Sequence, residues 1–86
     1  MNLTFTPESW GDYLHWQKSD RAMVKRINRL IGDTLRHPFE GIGKPEPLRH
    51  DLAGCWSRRI DSEHRFVYEV QDDTVLVLAC RFHYSK

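Results

Sequence analysis

Glu46 in the run Lys44-Pro45-Glu46-Pro47, Arg65, and the pair His83-Tyr84 have the residue types that acid–base chemistry on a phosphodiester requires. RNA can be cut without a metal ion if a base takes the proton of a 2′-hydroxyl, an acid protonates the departing 5′-oxygen and a cation holds the charge on phosphorus. Each proton transfer contributes roughly 10²–10⁴ in rate, and a fixed charge-stabilising donor roughly another 10²–10³. Three or four side chains suffice. Glu46 lies between two prolines, so its own backbone and that of Lys44 are each expected to be extended, which positions a carboxylate at little further entropy cost. Lys44 and Arg49 flank it as candidate phosphate or ribose contacts.

Each of these residues also has a plainer reading. Glu46 could be an exposed charge on a stiff connector, and Lys44 and Arg49 ordinary surface cations. Arg65 has a planar fork that fits a phosphate, or it forms a salt bridge with Glu63 or Glu69. His83 is one of five histidines, but it stands at the expected end of the last strand, where an imidazole can donate a proton to a leaving oxygen. Tyr84 could stack on a base, hold the phosphate through its hydroxyl, or simply cap the sheet. Cys80 and His83 are three apart, which in a strand places them on opposite faces, and no second ligand pair lies nearby, so neither metal nor cofactor is expected.

The elements that must position these groups follow from periodicity. Leu3 and Phe5 alternate with Thr4 and Thr6 as in a short strand. Thr6 then caps a helix over about 7–18, with Pro7 at its first position and Glu8 at the positive end of its dipole. That helix places Trp10, Tyr13, Leu14 and Gln17 on one face. Asp20 caps a second helix, in which Val24, Ile27, Leu30, Ile31 and Leu35 form the inward stripe, and His37-Pro38 ends it near residue 36. Arg21, Lys25 and Arg29 stand four apart on its outer side. Residues 38–47 are too rich in Pro and Gly for regular structure.

Beyond that loop the pattern has period two. Strands are expected over Leu48 to Leu52, Cys55 to Ile60, His64 to Val70 and Thr74 to Phe82. The expectation is a single domain over residues 1–86: a two-layer α+β fold of βααβββ(β) order, its N-terminal strand and helical hairpin packed on one face of an antiparallel sheet. If the even-numbered residues of the last two strands (Phe66, Tyr68, Val70; Leu76, Leu78, Cys80, Phe82) meet the helices, Arg65, Arg81 and His83 project from a polar open face. Arg58 fits poorly between Trp56 and Ile60, which leaves a bulge, a strand edge or a reversed parity open there.

Composition narrows the class. Eighty-six residues, 40% of them hydrophobic, close one modest core. Ten aromatic side chains help so small a core reach stability. Two cysteines are too few for a disulfide framework, the first residues lack a signal-peptide pattern, and no apolar run could span a bilayer; a cytoplasmic protein is expected. Net charge is only +1, yet residues 18–37 carry six Lys or Arg against two Asp. That excess makes Arg21, Lys25 and Arg29 a candidate polyanion contact, beside the plain reading of a solvated face.

The runs Pro38-Phe39-Glu40-Gly41-Ile42-Gly43-Lys44-Pro45-Glu46-Pro47-Leu48, Trp56-Ser57-Arg58-Arg59-Ile60, Glu63-His64-Arg65-Phe66-Val67-Tyr68 and Cys80-Arg81-Phe82-His83-Tyr84, with Trp10, Tyr13 and Trp16, resemble the YoeB family of toxins within the RelE/ParE superfamily. The resemblance covers nearly the whole chain. It implies a RelE/ParE-like fold and a toxin of a type II toxin–antitoxin system that enters the A site of the 70S ribosome and cleaves the mRNA there, leaving a 2′,3′-cyclic phosphate. It further implies Glu46 as base, His83 as acid, Arg65 as charge stabiliser and Tyr84 as assistant, with Lys44, Arg49 and Arg59 contacting RNA. If the chain works on a ribosome, the polyanion that meets Arg21, Lys25 and Arg29 is ribosomal RNA. The partners implied are a YefM-type antitoxin and a second copy of the free toxin. Phe82, Cys55 and the Ser85-Lys86 extension depart from the family pattern, the last bearing on Tyr84. A non-enzymatic ParE-like toxin and an inactive antitoxin-binding module are the alternatives.

Overall fold

A computed structural model describes residues 1–83. Its elements are β1 (Asn2–Phe5), α1 (Pro7–Ser19), α2 (Arg21–Arg36), β2 (Glu46–Pro47), a 3-10 turn (His50–Leu52), β3 (Cys55–Arg59), β4 (Arg65–Gln71) and β5 (Thr74–Ala79). Thr6 accepts the Ser9 amide at 3.1 Å and starts α1. Asp20 serves two helices at once: its amide bonds to the Trp16 carbonyl at the end of α1, and its carboxylate accepts the Ala22 and Met23 amides at the start of α2. That shared cap turns the chain between helices without a linker.

The sheet order is β1-β5-β4-β3-β2. β1 joins β5 in parallel, whereas the other pairs are antiparallel, so the expected α+β two-layer class holds with a mixed sheet. The helices cover one face through Trp16, Met23, Ile27 and Leu30, packed on Phe66, Tyr68, Val75, Val77 and Cys80. In α1 the inward face is Ser9, Tyr13 and Trp16; Trp10 and Leu14 are exposed, contrary to the expected grouping. The small Ser9 hydroxyl takes the buried position because it donates to the Val77 carbonyl at 2.7 Å.

Two expectations about the strands are corrected. Leu48 to Leu52 is not a strand: pairing is limited to Glu46–Pro47, and the chain then folds as a 3-10 turn with His50 at φ 58. β5 ends at Ala79 instead of Phe82, and its inward residues are Val75 and Val77, not Leu76, Leu78 and Phe82. A bulge between the Val67/Tyr68 and Ala79/Val77 pairings inserts Leu78 and reverses the parity. After it Cys80 turns inward, while Phe82 is exposed. Because β5 is apolar on both sides, alternation could not reveal its register.

Its outer apolar side needs cover. Segment 48–52 supplies it, forming a second cluster of Leu48, Cys55 and Val67 with Leu52, Leu78 and Ala79 on the face that the helices leave open.

Candidate active site

Arg58 explains how the loop that carries Glu46 is held. It points to the helix side of β3 and is fully buried. All five of its N–H groups are used: Nε donates to the Tyr68 hydroxyl (3.2 Å), Nη1 to Asp33 Oδ2 (2.6 Å) and the Ile42 carbonyl (3.1 Å), and Nη2 to the carbonyls of His37 (2.6 Å) and Glu40 (2.9 Å). Tyr68 in turn donates to the Pro38 carbonyl at 2.6 Å. An arginine is buried only when its donors are met, and here three carbonyls of a loop without secondary structure meet them together with Asp33 of α2 and Tyr68 of β4. The bulge and edge readings of Arg58 are thereby set aside. The Arg58 guanidinium, then the Ile42 amide, hold the Asp33 carboxyl below its ordinary value.

Two glycines allow this close approach. Gly41 sits at φ 118, where a Cβ would lie 2.0 Å from Asp33 Oδ2; Gly43, at φ 79, would place one 2.8 Å from the Leu30 side chain. Lys44 is corrected from extended to left-handed, φ 53. The Gly43 carbonyl is fixed by the Arg59 amide at 2.7 Å, which forces the turn ahead of Pro45.

The turn delivers Glu46 to the sheet edge, opposite Ser57, with Ser57 opposite Val67 and Val67 opposite Ala79. Directly paired residues share a face, so Glu46 heads a row on the side away from the helices. It is exposed. Beside it is a cleft of about 770 Å³ walled by residues 46–52, including Arg49, and floored by Val67, Leu78 and Ala79. Pro47 lacks an amide proton, which suits an edge strand.

One pair along the same face, Arg59 stands opposite Arg65. Like charges directly opposed are unfavourable in a strand pair. The ion pairs among the described residues are Arg36–Asp33 and Arg58–Asp33, with His64 Nε2 also 3.6 Å from Glu63 Oε1, and neither Arg59 nor Arg65 takes part in any of these contacts. Arg65 instead donates to the carbonyls of Asp61 and His64, so the alternative reading of a salt bridge to Glu63 or Glu69 is set aside. The arrangement invites a polyanion.

His83 lies four residues beyond β5, not at its end. The Arg65 amide donates to the Phe82 carbonyl at 3.0 Å, so His83 follows directly from a residue bonded to Arg65. Glu46 lies two strand steps of about 4.8 Å each, and a further step along the strands, from Arg65, and His83 is next in the chain to the residue whose carbonyl accepts the Arg65 amide. Lys44 and Arg59 border them through the Gly43 contact. Tyr84 lies outside the described residues. Arg21, Lys25 and Arg29 are exposed on the helical layer, across the sheet from the cleft.

Sequence reasoning missed Arg58, Asp33 and Tyr68 as the supports of the loop, and it missed His64. The available signal was a charge at an even-numbered position between Trp56 and Ile60. No group of three or more His, Cys, Asp or Glu among the described residues could hold a metal ion.

This architecture has close counterparts. The family model described as a YoeB-like toxin of bacterial type II toxin–antitoxin system matches residues 5–84. Toxin YoeB of Escherichia coli K12 is 62% identical over 84 residues, covering 98% of this chain and 100% of that protein. The solved YoeB/ParE toxin from Agrobacterium tumefaciens superposes with a TM-score of 0.96 at 55% identity, over 98% of this chain and 100% of that one. YoeB from Staphylococcus aureus, 46% identical over 98% of each chain, is solved as a dimer (TM-score 0.91) and in a heterotetrameric YoeB-YefM complex (0.90). The match of sequence and fold over nearly the full length makes this chain a member of the YoeB-like toxins of bacterial type II toxin–antitoxin systems.

Proposed function

We propose that this toxin is an endoribonuclease that cleaves mRNA in the ribosomal A site, with its own side chains performing the proton transfers. The reading is carried by the Arg59–Arg65 pair, two arginines directly opposite each other on the strands of the open face, flanked by the strand bearing Glu46 and the segment bearing His83. Glu46 takes the 2′-hydroxyl proton as that oxygen bonds to the adjacent phosphorus. Arg65 holds the added charge, and His83 gives a proton to the 5′-oxygen as its bond to phosphorus breaks. The products are a 2′,3′-cyclic phosphate and a 5′-hydroxyl end. Tyr84 assists at the phosphate, and Lys44, Arg49 and Arg59 hold the message.

Purified 70S ribosomes programmed with a defined A-site codon test this. Wild type should cut at that codon, whereas Glu46→Ala, Arg65→Ala and His83→Gln each lose about 10²-fold or more in rate. Cleavage persisting in all three variants, or growth arrest with intact messages, removes the reading.

The partners follow the relatives. A YefM-type antitoxin is proposed from the staphylococcal complex and a homodimer from the staphylococcal dimer. The action takes place in the bacterial cytoplasm. The exposed Arg21, Lys25 and Arg29 are proposed to touch ribosomal RNA; reversing their charge should weaken ribosome binding and flatten its salt dependence.

A further inference from the structure

Residues 80–83 leave the sheet, yet they carry the proposed acid. Three bonds link them to α1: Trp16 Nε1 donates to the Cys80 carbonyl at 2.8 Å, the Cys80 amide donates to Asp12 at 3.1 Å, and Cys80 Sγ donates to the Ser9 carbonyl at 3.7 Å. Two more converge on Phe82. Its amide donates to His64 Nδ1 at 2.6 Å, and its carbonyl accepts the Arg65 amide at 3.0 Å. One dipeptide, His64-Arg65, therefore grips both backbone polar groups of the residue before His83.

Phe82 needs that grip. It has φ 65, a left-handed conformation that side-chain-bearing residues seldom adopt. Its ring is 55% exposed, so burial of the side chain does not impose the conformation.

His64 is itself fixed. It is 9% exposed, it meets Trp16 edge-on at 4.8 Å, and its amide donates to Asp61 Oδ1 at 2.7 Å. To accept at Nδ1, the ring must carry its proton on Nε2, the nitrogen that faces Glu63 Oε1 at 3.6 Å. Its carbonyl also accepts a bond from the Arg65 guanidinium.

We infer that His64 is a positioning residue: its Nδ1 holds Phe82 left-handed and so aims His83 at the phosphate gripped by Arg65. The inference rests on the nuclease reading. It separates chemistry from binding, because the groups proposed to hold RNA keep their own supports when this bond is lost.

The test is A-site cleavage on programmed ribosomes, reading kcat and KM separately, beside thermal unfolding. His64→Gln removes an acceptor at the Nδ1 position and is expected to lower kcat about 30-fold, within the roughly 10²-fold cost of a misplaced group, with KM little changed. His64→Asn puts an amide oxygen at that position and should restore kcat to within about threefold. A third chain leaves His64 in place and deletes only the donor: phenyllactate replaces Phe82 in a segment 80–86 joined at the native Cys80. It should match His64→Gln, and it decides the matter should that variant fail to fold. Wild-type kcat in the ester chain, or a His64→Asn variant no faster than His64→Gln when both fold, overturns the inference. His83→Gln serves as the reference. If it is inactive while the ester chain is fully active, only the role of His64 fails; if it cleaves normally, the assignment of His83 as the acid fails with it; and if wild type leaves the message uncut, the nuclease reading itself has failed.

Discussion

The two chain segments that carry the proposed base and acid are held in opposite ways. The Glu46 loop has no regular structure from 37 to 45, yet a single buried guanidinium binds three of its carbonyls and the carboxylate and phenol that brace it. The His83 segment is held by several separate bonds, among them those with Trp16, Asp12, His64 and Arg65. One support is concentrated and buried, the other dispersed and near the surface. A domain too small for spare elements can thus hold one segment by one high-stakes charge and another by several modest contacts. The first should fail all at once, the second by degrees.

Arg58→Met tests the concentrated side most severely. It leaves Asp33, three carbonyls and the Tyr68 hydroxyl without their shared donor, and should cost roughly 3–5 kcal/mol of stability in denaturant unfolding. Arg58→Lys should not rescue it, because three donors on a point charge cannot reach five acceptors set around a planar fork. A loss below about 1 kcal/mol would show that the loop is held by its prolines. Gly41→Ala comes next: a Cβ at φ 118 collides with Asp33 Oδ2, and roughly 2 kcal/mol should be lost. Gly11→Ala is its control, since it meets nothing within 4 Å in the middle of α1 and should gain about 0.5–1 kcal/mol.

How far the sequence foretold these regions depends on what each signal encodes. Helix ends were legible because Thr6, Asp20 and His37-Pro38 act locally. Glu46, Arg65 and His83 stood out by residue type, and the period-two pattern of β4 put Arg65 on the side away from the helices, where it stands. The parity of β5 was hidden, since Val75 to Ala79 is apolar on both sides and a bulge carries no residue signature. Arg58 was visible only as a misfit. Its meaning lies in carbonyls 16 to 21 residues away, which no local pattern records. His64 was one histidine among five, and its role rests on a backbone amide 18 residues distant.

Trp16→Phe probes the dispersed side. It keeps an aromatic ring in the core but deletes the Nε1 bond to the Cys80 carbonyl, so stability should fall by about 1–2 kcal/mol, the cost of one buried acceptor left unpaired plus a smaller ring. Because Asp12, His64 and Arg65 remain, hydrogen exchange at the Cys80 and Phe82 amides should rise while exchange in the 37–42 loop stays as in wild type. Exchange rising equally in both would mean that the two supports are coupled.

The smallest effect is a titration at one atom. The Arg58 hydrogen bond, then the Ile42 amide, hold the Asp33 carboxyl below its ordinary value of 3.8. A folded value below the unfolded one means the carboxylate stabilises the fold at every pH above about 3.8, and that this contribution is lost as pH falls through the folded value. Asp33→Asn cannot titrate, yet it resembles the protonated acid in shape and charge. The stability gap between wild type and Asp33→Asn should therefore be constant from pH 7 to pH 5, narrow below about pH 4 and close once the wild-type carboxyl is protonated. The His83 segment offers no such titration through Cys80, whose thiol burial pushes up to about 12, so thermal midpoints of Cys80→Ala and wild type should stay parallel over the same range. A gap that persists unchanged into strong acid would place the loop's support in the carbonyls alone.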